Sequence, residues 1–328
     1  NLGGTMPTIT DSNVVLGKLR PAGFAGGKLT LKPELAHEAV RREVAEPLGM
    51  SSVEWAAAGV LEVGEEAMAN AARVHAVEQG KDVTRYTLMA SGGAGPLHAV
   101  RIAEKLGISR VIIPTSAGVG SAVGFLSAPV AYEVARSVMS AMAKIDLTHL
   151  GRLQNGMRDE ASNVVLPALT ENEQVTYTWA AELRYSGQGH ALRVPLSSPL
   201  ETVEDLTALE GSFVAQYLDT YGTTLDGNPV EMVALSLICS GPAVVTKNSG
   251  EEASAHTATV ETLSPVFDPV RGELVQAAVL QRAMLSAGAY HDGPALVTEA
   301  QTTTWVPKDW RVHIHALGHV VIDREARK

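Results

Sequence analysis

The spacing of apolar positions changes along the chain, and each change predicts a different element. Over residues 33–48, Leu35, Ala39, Val40, Val44 and Leu48 fall on one helical stripe, with Pro47 predicting a kink or stop. Residues 52–79 are the longest helical candidate: Ala56, Val60, Val63, Ala67, Met68, Ala71 and Val74 share a face, and Gly80 supplies the stop. A short helix capped by Asp11 and ending near Gly17 is expected before them. The period then shortens. Residues 85–90 predict a buried strand, 97–106 a helix stopped by Gly107, and 110–113 a second strand, together a parallel βαβ unit. A small-residue turn at 115–122 follows and runs into a short apolar helix through Phe125.

After Ala128-Pro129 the pattern becomes mixed. Strands are expected at 130–142, 174–183, 191–195 and 230–239, and helices at 146–166 and 202–220. Residues 246–265 are polar and read as a linker or exposed loop. Beyond Val266, short apolar runs separated by Asp292-Gly293-Pro294, Pro307-Lys308-Asp309 and Leu317-Gly318-His319 predict a small antiparallel unit. The expected organisation is an α/β lobe at 1–130, an α+β domain at 131–245, a linker at 246–265 and a β-rich unit at 266–328.

Composition narrows the function classes. Hydrophobic residues make up 45% of the 328-residue chain, enough for well-buried cores. A formal charge of −10 with no Lys/Arg cluster argues against a nucleic-acid partner. No apolar window approaches the ~18 residues of a membrane span. The single cysteine, Cys239, lies in an apolar strand pattern, and its usage suits a reducing cytoplasm.

The candidate chemistry centres on Ser91-Gly92-Gly93-Ala94-Gly95-Pro96, between the first expected strand and its helix. Glycines at such a turn let backbone amides approach an anion, and the helix start adds unpaired N–H groups. The turn holds no acidic, basic or nucleophilic side chain, so it reads as a binding element. It matches neither a P-loop nor G-x-G-x-x-G, and an ordinary tight α/β connection explains it equally well. The two consecutive turns, at 91–96 and 115–122, are expected at the same sheet edge, where α/β sheets bind ligands. His98, in the first turn of the following helix, is placed either to touch a phosphate or to pack. Thr5, Thr8, Thr10, Asp11 and Asn13 form a polar set that capping largely explains. His313 and His315 share a strand face with His319 nearby, but an exposed polar face is the simpler reading and no metal site is expected. No catalytic triad, Cys/His pair or carboxylate pair stands out, and the catalytic residues stay unassigned.

Five segments carry a resemblance. GGTMPTITDSNVVLG at 3–17, ASGGAGPLHA at 90–99, IPTSAGVGSAVGFLSAP at 113–129, LRYSGQGHALRVPL at 183–196 and DGPALVTEAQTTTWVPKDWRV at 292–312 occur in the order found in the hydantoinase/5-oxoprolinase family. The chain resembles the C-terminal half of that family's A-type subunit. The resemblance implies an actin- and sugar-kinase-like (ribonuclease H-like) lobe that binds ATP with Mg²⁺. It maps the nucleotide contacts onto Ser91, Gly92, Gly93, Ala94 and Gly95. Thr10, Asp11 and Asn13, with His98, form a second set of cleft candidates.

The resemblance further implies a B-type partner subunit and a cyclic amide substrate such as a hydantoin or 5-oxoproline. Its ATP-activated ring opening would be the reaction. Two alternatives are a subunit of an ATP-dependent ketone carboxylase of the acetone or acetophenone type, and a non-catalytic assembly module. The family's first lobe, with its acidic, glycine-rich phosphate hairpin, has no counterpart in this sequence. Half of the nucleotide site is therefore expected outside it, and the chain alone is expected to be inactive.

Overall fold

The computed structural model describes residues 4–21, 24–225, 227–243 and 253–324. The Gly-rich start at residues 1–3 and residues 246–252 of the expected linker lie outside them.

The first helix, α1 (Ile9–Val15), is capped by Thr8. Asp11 is its third residue and reaches back to the Thr8 N–H at 2.8 Å, completing a capping box rather than standing at the cap. α2 (Pro33–Val40) ends in a π-turn, where the Glu46 N–H reaches the Arg41 carbonyl, and Pro47 falls just beyond it. α3 (Val53–Glu78) is the long helix expected, capped by Ser52. β1 covers only Leu88–Met89, because Asp82 accepts from the Thr84 N–H and turns Val83–Arg85 into one 3₁₀ turn. α4 (Gly95–Leu106) ends on Gly107 at φ 73°, β2 is Arg110–Ile113 and α5 is Gly120–Ser127. No residue of α5 is buried, and Phe125 and Leu126 are exposed.

Residues 127–246 form one compact unit. It contains β3 (Ala131–Ala141), α6 (Leu147–Val165), β4 (Thr176–Tyr185), β5 (Leu192–Leu196), α7 (Val203–Tyr221) and β6 (Val230–Ser240). The strands make one antiparallel sheet in the order β3-β6-β4-β5. Leu150, Met157, Ala161 and Val165 of α6 and Leu209, Phe213 and Tyr217 of α7 share a core with inward residues of these strands. Cys239 is buried there, and burial pushes its thiol pKa up.

The other unit joins residues 1–126 to 247–328. Its remaining strands are β7 (His256–Thr257), β8 (Thr262–Asp268), β9 (Glu273–Gln281), β10 (Ala289–Asp292), β11 (Ala295–Thr298), β12 (Thr303–Val306), β13 (Trp310–Ile314) and β14 (Val320–Arg324). β1 and β2 are parallel, and β14 pairs antiparallel to β2 with Val320 opposite Ile113. The sheet continues β1-β2-β14-β13-β10-β7. The last strands therefore complete the sheet of the first lobe and are not a separate β-rich unit. Two short parallel strands bury too little by themselves, and β13 supplies Trp310, Val312 and Ile314 to their core. A second sheet, β12-β11-β9-β8, is mixed because β9 and β11 run parallel. Part of the expected linker is β8, an edge strand that tolerates Pro265. Among the described residues no helix is long and apolar enough to cross a membrane.

Candidate functional site

The glycine turn follows β1 directly, and the turn after β2 stands beside it because the two strands are parallel neighbours. The Gly92 N–H donates to the Ala117 carbonyl at 2.7 Å, locking one turn to the other. Gly92 needs its glycine, with φ at 92°. Ser116 in the second turn also has positive φ, at 61°. The second turn is held from below by His319, whose Nδ1 accepts from the Thr115 N–H at 3.1 Å. Arg282 in turn binds the Gly318 carbonyl beside it.

Gly93, Thr115 and Ser116 line a cleft of about 1090 Å³. The connection from β11 to β12 also lines it, with Glu299, Gln301 and Thr302. This connection presses on both turns. A Cβ on Gly93 would lie 3.2 Å from the Gln301 carbonyl oxygen, and one on Gly118 would lie 2.6 Å from the Gln301 Cβ. Arg20, Lys28, Glu261 and Arg282 add charge, with Arg20 and Glu261 3.5 Å apart. Burial pushes the Glu299 carboxyl above the usual carboxylate range, against the pull of Arg282.

The chemistry of this edge is that of an anion acceptor. The amides of Gly93, Ala94 and Gly95 open α4 with no acceptor among the described residues. Thr302 is buried, and among the described residues its Oγ1 has no partner although the residue lines the cleft. Amides without an acceptor at a helix start suit an oxygen-rich ligand. Ser91, Gly92, Gly93 and Ala94 are exposed, so the turn is open to one.

The second set of sequence candidates sits elsewhere. His98 is buried; its Nδ1 meets Glu65 Oε1 at 2.9 Å and its Nε2 faces the Asn13 Nδ2 at 3.5 Å. Asn13 also donates to the Ile9 carbonyl. These groups tie α1, α3 and α4 together and do not line the cleft. Asp11 is occupied with Thr8, and Thr10 is exposed on α1. Of the three C-terminal histidines, His313 lies 3.7 Å from Asp323, with burial pushing its pKa down, and His315 accepts from the Leu317 N–H. Among the described residues no three His, Cys, Asp or Glu side chains are grouped to hold a metal.

Sequence reasoning did not single out Glu299, Gln301, Thr302, Arg282 or His319 for this cleft. For Glu299, Gln301 and Thr302 the signal was the segment 292–312, which carried the resemblance without an assigned role; Arg282 and His319 lie outside it.

Over 319 residues the chain is 28% identical to the caprolactamase subunit alpha of Pseudomonas jessenii, covering 95% of the chain and 45% of the relative. It is 27% identical to the acetophenone carboxylase gamma subunit of Aromatoleum aromaticum, covering 98% of the chain and 45% of that relative. The chain thus spans under half the length of these curated relatives. The crystal structure of the ATP-dependent caprolactamase from P. jessenii superposes with a TM-score of 0.77 at 27% identity, over 99% of this chain and 48% of that one. The hydantoinase/oxoprolinase family model matches residues 1–134, and the model of its C-terminal domain matches residues 149–320. Both halves of the chain are accounted for, and the chain belongs to the hydantoinase/oxoprolinase family.

Proposed function

We propose that this chain is the nucleotide-binding part of the A-type subunit of an ATP-dependent enzyme that opens cyclic amides, and that its β1–β2 edge is one lobe of an actin-like ATP site. The observation that carries the reading is that the amides of Gly93, Ala94 and Gly95, which open α4, have no acceptor among the described residues, and that Gly93 lines the cleft. The similarity to a caprolactamase described as ATP-dependent supports it.

In this reading the three amides donate to phosphate oxygens, and the α4 dipole adds to their pull. Gly92 does not join them, because its N–H is committed to Ala117 and sets the shape of the turn. Glu261 is the cleft carboxylate that would meet Mg²⁺ together with phosphate oxygens, whereas burial biases Glu299 toward its neutral form. Bound ATP supplies a phosphoryl group that makes the amide oxygen a leaving group. The chain's own residues position and exclude water. Among the described residues no histidine lines the cleft and the glycine turn carries no general base, and in this reading the amide meets its chemistry in the assembly with a partner subunit. The exposed Phe125 and Leu126 give such a subunit an apolar face to cover.

A second reading is a subunit of an ATP-dependent ketone carboxylase, favoured by the near-equal identity to the acetophenone carboxylase gamma subunit. Phosphate release by the assembled enzyme separates the two. Stimulation by caprolactam, hydantoin or 5-oxoproline is expected. Stimulation by acetone or acetophenone only with bicarbonate selects the carboxylase. An assembly without nucleotide binding leaves a non-catalytic assembly module.

A further inference from the structure

The long helix α3 buries a face other than the one its sequence makes apolar. Helical spacing marks Val60, Val63, Ala67, Ala71 and Val74 as an apolar stripe. The buried face instead runs through Ala58, Leu61, Glu65 and Ala69, packed toward α1 and α4. Val63, Val74 and Val77 are 73%, 48% and 70% exposed, and Ala67, Asn70 and Ala71 are exposed among them. None of these residues lines the cleft. A contiguous apolar surface marks an interaction site in a way that scattered exposed valines do not.

The order of residues along this face indicates what covers it. Val60, Val63, Ala67, Asn70, Val74 and Val77 follow one another at intervals of three, four, three, four and three. That is the a/d repeat of a coiled-coil seam, narrower than the stripe of a helix packed into a globular core. The intervals read the same in both directions. An antiparallel second copy of α3 therefore sets Val60 opposite Val77, Val63 opposite Val74 and Ala67 opposite Asn70, each pair occurring twice about a two-fold axis. Valines meet toward the two ends and smaller side chains at the centre. Asn70, the polar member, is already tied toward one flank, where its Oδ1 accepts from Arg73 at 3.3 Å.

The flanks agree with this pairing. On one side Glu66 and Arg73 are a heptad apart, and the two-fold brings the Glu66 of one copy beside the Arg73 of the other. Within one copy these two lie 3.8 Å apart, and Glu66 also holds Lys105 at 2.8 Å, so this edge does not repel its twin. On the other side Gly64 and Ala71, again a heptad apart, leave room for close approach. Antiparallel pairing also sets opposite ends of the two helix dipoles together. A parallel copy would stack Asn70 on its own counterpart.

We propose that the outer face of α3 is a self-association surface that pairs, antiparallel, with α3 of a second copy of this chain, with the two-fold axis between Ala67 and Asn70. The seam is about 26 Å long, and so small an interface gives a dimer of roughly micromolar affinity. The helix is already formed and packed, so pairing carries no cost of ordering it. The surface is independent of the nucleotide reading of the cleft.

Sedimentation velocity of the full chain from about 1 to about 200 μM should show a monomer–dimer equilibrium. Val63→Glu puts a carboxylate into the seam twice per dimer and should weaken it at least about tenfold. Val63 is exposed in the single copy, so this variant keeps its fold. Leu274→Glu, a control at a residue of β9 that is 68% exposed, should shift the equilibrium no more than about twofold. Disulfides read the register. Chains carrying Val63→Cys mixed with chains carrying Val74→Cys should cross-link on mild oxidation, because the two positions face each other. Either variant alone should not, because its two copies lie about 16 Å apart along the seam. The native Cys239 is buried and takes no part. The mixed cross-link is also expected in the assembled enzyme. Four results overturn the proposal: a monomer over the whole concentration range, a dimer of folded Val63→Glu as tight as wild type, cross-linking of either variant alone, or no mixed cross-link in the assembled enzyme, where another subunit then holds the face.

Discussion

The unit at 127–246 buries Trp179, Phe213 and Tyr217 beneath one antiparallel sheet, whereas the core around β1 and β2 is largely alanine and valine with Trp310 at one side. Polar groups differ as well. In the first of these, Gln154 donates to the Leu200 carbonyl and accepts from the Leu200 N–H, so both ends of its buried amide are used. In the other, Ser12, Asn13, Thr302 and Thr304 each leave a buried side-chain oxygen without a partner among the described residues. Buried polar groups are normally satisfied, and their exceptions cluster where a structure has something else to do. The contrast separates a unit built for packing from one built around open polar edges.

The comparison breaks if stability and ligand response do not divide the same way. The largest expected effect is at Phe213, fully buried and edge-on to Tyr185. Phe213→Ala should cost about 3–5 kcal/mol in denaturant unfolding, through lost burial and the cavity left behind. ATP affinity of the folded variant should be unchanged; a parallel loss would show that the two units are not separable in function.

Gly93→Val is the converse. Its side chain would crowd the Gln301 carbonyl and fill the cleft mouth, where the amides must be approached. ATP affinity should fall about a hundredfold or more, near 2.7 kcal/mol, while stability changes by less than about 2 kcal/mol. Unchanged affinity measured by calorimetry would remove the glycine turn from the site.

His319→Ala removes the acceptor that holds the Thr115 N–H. One such hydrogen bond is worth about 1 kcal/mol, so affinity should fall about fivefold with no effect on the unfolding of residues 127–246. A fall as large as that of Gly93→Val would make the second turn the primary contact.

The smallest effect concerns pH. The folded Glu299 pKa is raised, so the contribution of its neutral form is complete below the unfolded carboxylate range and is lost as pH rises through the folded value. Above that value the charged carboxylate also opposes a polyanion in the cleft. Glu299→Gln should therefore raise ATP affinity about threefold at pH 8, with the variant and wild type converging as pH falls below the folded Glu299 value. A ratio independent of pH would place the Glu299 charge outside the ligand's reach.

Much of the architecture was legible because helical stripes and glycine stops are local. The long helix ending before Gly80, α4 ending at Gly107 and the β4–β5 hairpin follow from spacing alone. The β2–β14 pairing was not legible, because a short apolar run such as Val320–Ile322 carries no record of its partner, which lies some 200 residues away in sequence. Asp11 was misplaced by one role: Asp serves both as a cap and as the third residue of a capping box, and only Thr8 three residues earlier separates the two. The glycine turn was readable from composition. The wall facing it was not, since Glu299, Gln301 and Thr302 come from a connection whose position is set by the parallel β9–β11 pairing.

The central claim is that the β1–β2 edge, through the amides opening α4, receives the phosphates of ATP. Hydrogen exchange followed by mass spectrometry tests it directly, with and without ATP and Mg²⁺. Peptides spanning 88–100 and 113–120 should be protected by the nucleotide, and peptides from 176–240 should exchange at the same rate in both conditions. Measured on the assembled enzyme, ATP binding with no protection at 88–100, or no binding at all at about 10 mM ATP, about ten thousand times a micromolar dissociation constant, would contradict it.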